Sequence, residues 1–311
     1  LKLFFLKCRS AGLTFLTIDR VSMRQWLLGC AALATATVTQ TADNLESYAT
    51  AATVTITALQ WNPHWECFHK SAECKSQVIE LLSSRLRNGT DFANVVELET
   101  KDFVMPSGWK NISSLCGRDV TYLFFNAVRW NLLASEDSGD KGCMVEDNRP
   151  YVVQAFQHRT EDLKVIVIGA HFPHATLGTT LPKSIEAVVS ATGIHSIMLI
   201  ADTNINRLNL WPNCPPAWCR TSAEIFEGLG LQANGTISTD LVHSCCANPP
   251  YHYYFDFDRV ITNFGAGITT QLHDDPAPSW AVGAFHKAVT GRLTVPLSSD
   301  VTKRAFRQSL E

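Results

Sequence analysis

The stretch Ile197-Met198-Leu199-Ile200-Ala201-Asp202-Thr203-Asn204 is an unbroken apolar run that ends in two polar residues at alternate positions. The run predicts a strand, and its period of two puts Asp202 and Asn204 on one face just past the end. A simple turn capped by these side chains is the competing reading, because Asp and Asn favour turns. Working outward, residues 92–98, 120–125, 151–156 and 165–170 also read as strands. Before them, Val54, Ile56 and Ala58 alternate with Thr53, Thr55 and Thr57, a half-buried strand that ends at Gln60-Trp61-Asn62-Pro63. Further strands fall near residues 257–262, 268–272 and 289–295. Val78, Ile79, Leu82 and Leu86 mark a helix face that Asn88-Gly89 stops, and Ile185, Val188 and Val189 mark a second helix running to Gly193. Many strands with few helices between them predict an α/β (α+β) fold of two mixed β-sheets packed face to face, with helices on the outside.

The chain has 311 residues, 46% apolar and 18% charged, which excludes disorder, collagen and coiled coil and allows a full core. There is no internal repeat and no linker long enough to separate a pair of domains, so residues 53–296 read as one domain and 297–311 as a C-terminal tail. The net charge is -3, but the first 36 residues carry +4, which leaves -7 on the remainder. That balance excludes a bulk phosphate-backbone binder. Contact with nucleic acid would require a local site or a metal.

Met23 opens a pattern of its own. Arg24 supplies a basic start, residues 26–38 are apolar or small, and Ala34-Thr35-Ala36 suits a signal peptidase. Residues 23–36 therefore read as a signal peptide and residues 1–22 as upstream or untranslated sequence, with an uncleaved membrane anchor as the alternative. Leu27-Leu28-Gly29-Cys30 also resembles a lipoprotein box. After cleavage no stable membrane span is expected, and the location would be secreted or the lumen of the secretory pathway. Eight cysteines follow residue 36: Cys67, Cys74, Cys116, Cys143, Cys214, Cys219, Cys245 and Cys246. An even set fits disulfides, with local staples expected at Cys67/Cys74 and Cys214/Cys219. Zinc-finger spacing is absent. Asn88, Asn111 and Asn234 head glycosylation sequons.

Polar residues gather at predicted strand ends, where scaffolds commonly carry chemistry. Asn62 follows the first strand. Glu97 and Glu99 end the next, with both carboxylates on one face if the strand continues. His171 and His174 follow residues 165–170, Asp256 and Asp258 open residues 257–262, and His286 precedes the last strand. No phosphate loop, nucleophile elbow or zincin helix competes with them.

In this order the segments resemble the endonuclease/exonuclease/phosphatase superfamily, whose best-known fold is the deoxyribonuclease I-like sandwich. Ala201-Asp202-Thr203-Asn204 resembles its G-D-x-N, with Ala for Gly, and Asn62 matches the Asn that ends its first strand. Val95-Val96-Glu97-Leu98-Glu99 resembles the stretch that ends in its metal-binding Glu, placed here at Glu99. Gly169-Ala170-His171-Phe172 is similar to its T-H-L, Phe257-Asp258-Arg259-Val260-Ile261 to its I-D-Y-I, and Phe285-His286-Lys287-Ala288-Val289 to its S-D-H-x-P-V.

The resemblance implies a phosphoesterase dependent on Mg2+ (or Mn2+ or Ca2+). Glu99 would hold the metal with Asn62, and Glu97 is the alternative ligand. Asp202 and Asn204 would position the attacking water. His286, oriented by Asp258, would serve as general base or phosphate donor, and His171 would bind a phosphate oxygen or assist the leaving group. Two departures stand out. Phe285 replaces an expected Asp, for which Asp274 or Asp275 could substitute. Arg149 stands where the nuclease branch has a Glu supporting the first His, so His171 is expected to lose that partner while Arg149 offers a fork for phosphate. His64, two residues past Asn62, is expected near the metal. Trp211, Trp218, Tyr251, Tyr253 and Tyr254 suit stacking on a base or lipid, or packing over disulfides. The expected substrate is nucleic acid. A lipid or small-molecule phosphoester is the alternative, followed by a catalytically inactive binding protein.

Overall fold

The computed structural model describes residues 52–134, 137–174, 178–207, 219–233, 235–249, 252–274 and 281–297. The expected leader, Trp211, Cys214, Trp218, Asn234, Tyr251, Asp275 and the tail beyond residue 297 lie outside them.

The strands are β1 (Thr53–Trp61), β2 (Phe92–Val96), β3 (Trp109–Cys116), β4 (Asp119–Asn126), β5 (Trp130–Leu132), β6 (Gly139–Val145), β7 (Asn148–His158), β8 (Lys164–His171), β9 (Ile197–Asp202), β10 (Ile237–Ser238), β11 (Asp258–Thr262), β12 (Gly267–Leu272) and β13 (Val289–Pro296). They form two mixed sheets. The first runs β12-β13-β1-β2-β4-β3; the second runs β10-β11-β9-β8-β7-β5, with β6 also on β7. The β1/β2 and β8/β9 pairs are parallel and each spans a helical crossover. The helices are α1 (Trp65–Lys70), α2 (Ala72–Arg87), α3 (Thr180–Thr192) and α4 (Ser222–Gly228).

Side-chain alternation explains the layers. Ile56 and Ala58 of β1, Phe92 of β2, Val165 and Val167 of β8, Met198 and Ile200 of β9 and Val260 of β11 meet in the core between the sheets. Their neighbours face outward: Ile166, Ile168 and Leu199 pack with Leu181, Ile185 and Val188 of α3. On the other side Leu59, Trp61, Ala93 and Val95 pack with Val78, Leu82 and Leu86 of α2. Strands covered on both faces read as continuous apolar runs, which is why they are so clear in the sequence.

Other elements depart from expectation. The strand predicted over residues 92–98 stops at Val96, because Glu97 takes a left-handed backbone (φ 55) that a strand cannot accommodate. The partly exposed β3 and β6 carry no clear strand signal, since their polar residues break the pattern. Helix α4 also goes unpredicted, although Thr221 and Glu224 form a capping box at its start. Disulfides join Cys67 to Cys74, between α1 and α2, and Cys116 to Cys143, between β3 and β6. A third joins the adjacent Cys245 and Cys246, and Cys219 is disulfide-bonded as well. No helix among the described residues is long and apolar enough to cross a membrane.

Candidate active site

The inner face changes character at one end of the sandwich. Continuing the inward-facing positions, β1 offers Gln60 and then Asn62, β2 offers Asn94, β8 ends on His171, β9 on Asp202, and β11 begins with Asp258. All six are buried. Asp202 is in register with His171 on one side and with Asp258 on the other, so three neighbouring strands set three chemically active side chains in a row. Gly169 permits this layer: a Cβ there would lie 2.5 Å from Asn94 Oδ1. The Asn94 amide instead donates to Gln60 Oε1 (2.7 Å) and to the Ala170 carbonyl (3.2 Å), and Gln60 donates to Asp258 Oδ1 (3.1 Å).

His286 closes one end of the row. Its Nδ1 lies 2.6 Å from Asp258 Oδ2 and 3.8 Å from Asp202 Oδ2. Its backbone N–H donates to the Asn62 carbonyl (3.0 Å), while its carbonyl accepts from the Trp61 indole (2.9 Å). Burial alone would lower the pKa of His286, but the charges of Asp258 and Asp202 outweigh it and push the value up to about 9. Asp258 moves upward, because burial and the Asp202 charge outweigh the stabilising imidazolium. Burial works the same way on Asp202, yet there His286, His171 and the Asn62 amide prevail and hold it below the usual carboxylate range.

His171 closes the other end. Its Nδ1 lies 2.9 Å from Asp119 Oδ2, and its Nε2 lies 3.6 Å from Asp202 and 3.8 Å from Glu97. The expected loss of a carboxylate partner is therefore corrected: Asp119, at the start of β4 in the opposite sheet, supplies one. Arg149, itself left-handed (φ 60), sets its guanidinium against the same imidazole. Burial lowers the His171 pKa, Asp119 raises it by more, and Arg149 opposes the rise.

The carboxylates and amides divide as follows. Asn62 Nδ2 donates to Asp202 Oδ2 (2.9 Å) and reaches Glu97 Oε1 (3.4 Å), while its Oδ1 accepts from the His64 N–H (2.8 Å). Asn62 is thus a bridge between two carboxylates. Glu97, not Glu99, is the acid in this cluster. The left-handed turn swings it inward, and the Trp65 N–H donates to its other oxygen (2.9 Å). Glu99 instead pairs with the exposed His69 at 2.5 Å. Asn204 donates its backbone N–H to Asp202 Oδ1 (3.1 Å) and its amide to the Phe172 carbonyl (2.8 Å), which fixes the carboxylate and ties two loops together.

Phe285 is packing rather than chemistry: it is buried edge-on to Trp61 at 6.0 Å. Asp274 does not replace the missing acid, since it pairs with Lys287 on the surface. Asp256 is structural and binds the buried Arg259 at 2.8 Å. His64 caps α1 by accepting from the Glu66 N–H, and burial lowers its pKa. A cleft of about 760 Å3 reaches the His171 end of the row, with Glu97, Glu99, Asp119, Arg149 and His171 on its wall beside Trp65 and Arg118. Asp119, Gln60 and Asn94 are the contributors that sequence reasoning missed. The inward parity of Gln60 and Asn94 was a usable signal, whereas nothing local marked Asp119.

Among the described residues two buried groups bring donor atoms within 4.8 Å of one another, close enough to hold a metal ion: Asp202, Asp258 and His286, and Cys245, Cys246 and His286. With Glu97 nearby, the first offers carboxylate oxygens that fit a hard divalent cation, whereas Asn62, expected as a ligand, turns its amide N–H rather than its oxygen toward them. The second has its sulfurs joined to each other and does not.

No family model matches the sequence, and no curated protein matches it. Solved structures do. An endonuclease/exonuclease/phosphatase family protein from Bacteroides thetaiotaomicron aligns over 79% of this chain and 100% of its own, at 9% identity and a TM-score of 0.55. A mannosyl-6-phosphatase from the same organism covers 76% and 98%, at 9% identity and 0.53. Truncated TDP2 from Caenorhabditis elegans covers 77% and 97%, at 11% identity and 0.52. Two mixed sheets in this arrangement, with these neighbours, give the chain the endonuclease/exonuclease/phosphatase fold.

Proposed function

We propose that this protein is a divalent-metal-dependent phosphoesterase, a phosphodiesterase that cleaves nucleic acid by in-line attack of water. The observation that carries the reading is the row His171, Asp202 and Asp258 on three adjacent strands, with His286 at 2.6 Å from Asp258. Glu97 and Asp202 would hold the metal, which when bound neutralises phosphate charge. Asn62 keeps the two carboxylates apart and oriented. Asp202, ionised and fixed by the Asn204 N–H, would orient the attacking water. His286, oriented by Asp258, would donate to a phosphate oxygen as charge develops. His171, steadied by Asp119 and set against Arg149, stands on the opposite side of Asp202, where the two side chains would bind a phosphate oxygen.

A second reading has its own support. Arg149 against His171, with Arg118 on the same cleft wall, forms a compact cationic fork suited to a small phosphorylated head group. One structural neighbour is by name a phosphatase of a sugar phosphate. The test is a panel of plasmid DNA, RNA, sphingomyelin, phosphoinositides and a sugar phosphate, each with Mg2+ and with chelator. Cleavage of DNA or RNA that stops with chelator is expected. Turnover of lipid or sugar phosphate alone would replace the first reading with the second, and no turnover anywhere would leave a binding protein.

A further inference from the structure

The segment from Ser244 to Ala247 runs alongside the His286 segment. The Lys287 N–H donates to the Ser244 carbonyl (2.8 Å), and the Ala247 N–H donates to the Phe285 carbonyl (3.0 Å). Cys245 and Cys246 therefore flank His286. They are buried against Phe255 and Phe257, whose rings stack at 5.0 Å. The same segment touches the other half of the pair, for the Asp258 N–H donates to the Ser244 hydroxyl (3.2 Å). Each sulfur and one ring nitrogen of His286 lie within 4.8 Å of one another. As a disulfide the two sulfurs offer no thiolate. As thiolates beside an imidazole they form the soft donor set that thiophilic d10 cations select.

We propose that opening the Cys245–Cys246 disulfide creates a soft-cation site, Cys245–Cys246–His286, and that a thiophilic cation bound there withdraws His286 from catalysis. The opening is a two-electron reduction. A dithiol gives up two protons and two electrons, the sulfur–sulfur bond breaks into two thiols, and the dithiol leaves as its own disulfide. Binding then releases the two thiol protons and the imidazolium proton of His286, whose neutral ring completes the donor set. The inhibitory half of the proposal rests on the phosphoesterase reading; the binding half does not.

The test uses the full chain reduced with a phosphine, which takes its oxygen from water and adds no competing thiol. Cd2+ is the probe, followed by thiolate-to-metal absorption and by mass-spectrometric mapping of alkylated cysteines. Cd2+ should protect Cys245 and Cys246 in reduced protein, and His286→Ala should weaken that protection by about tenfold or more, a residue-specific effect that thiols elsewhere would not show. In the hydrolysis assay, reduction should make the wild type roughly tenfold more sensitive to Zn2+, and the double variant Cys245→Ser/Cys246→Ser should lack that increment. A disulfide that stays closed under reduction, equal alkylation with and without Cd2+, or protection indifferent to His286→Ala would each overturn the proposal. Protection with no hydrolysis under any condition would retain the site and remove its inhibitory role together with the phosphoesterase reading.

Discussion

His286 and His171 stand on opposite sides of Asp202, each with its own carboxylate, and the protein treats them differently. Asp258 lies in the same sheet as Asp202 and is buried, and His286 is further held through both its backbone N–H and its carbonyl by the end of β1. Asp119 comes from the opposite sheet and lies on the cleft wall, where Arg149 leans on the imidazole it supports. Two carboxylates thus fix the proton on His286 from within. His171 lies between an acid and a guanidinium that both face the cleft. On the proposed function, the His286 half would serve chemistry and the His171 half would serve substrate.

The largest test of that division is His286→Ala, which should lower kcat by roughly 10^3-fold, within the range of a lost proton donor. Arg149→Ala should act mainly on KM. A KM effect from the first variant, or a kcat effect alone from the second, would reverse the two halves.

Phe285→Asp probes the packing behind the His286 half. Loss of a buried aromatic costs about 3–5 kcal/mol before the carboxylate is counted, so the melting temperature should fall by roughly 10 °C or more, with no gain in Mg2+ affinity. A mutant that melts normally and binds Mg2+ more tightly would return this position to the metal.

Glu97→Gln should raise the Mg2+ concentration for half-maximal activity by roughly ten- to a hundredfold, while Glu99→Gln leaves it nearly unchanged. The reverse order would assign the metal to Glu99 after all.

The smallest effect is that of pH on stability. With the His286 pKa raised from 6.5 to about 9, its proton binds the folded state more tightly. That contribution is complete below pH 6.5 and is lost as pH rises through about 9. In chelator, the melting temperature of wild type should decline across that window, and His286→Gln should flatten the decline. An unchanged slope would mean that His286 is not held protonated.

These contrasts also show where the sequence was informative. The strands buried on both faces, β8 and β9 above all, announce themselves as apolar runs, and Asp202, His171 and Asp258 stand at their ends. A local pattern could therefore find the row. The partner of His171 could not be found that way, because Asp119 is 52 residues distant and meets it only when the two sheets close. The choice between Glu97 and Glu99 turns on a local feature, a left-handed residue that breaks the period of two. Phe285 was legible as a departure, but only its packing against Trp61 shows what replaced the acid.

The most direct test of the central claim is Asp202→Asn, assayed on the preferred substrate of the panel with Mg2+ and with chelator, beside a far-ultraviolet circular dichroism spectrum. Asn keeps the shape but does not carry the charge that holds the metal and orients the water. The account predicts a loss of roughly 10^2-fold or more in an otherwise folded protein, and wild-type turnover that chelator abolishes. Undiminished turnover by the variant, or wild-type turnover indifferent to chelator, would place the chemistry somewhere other than this row.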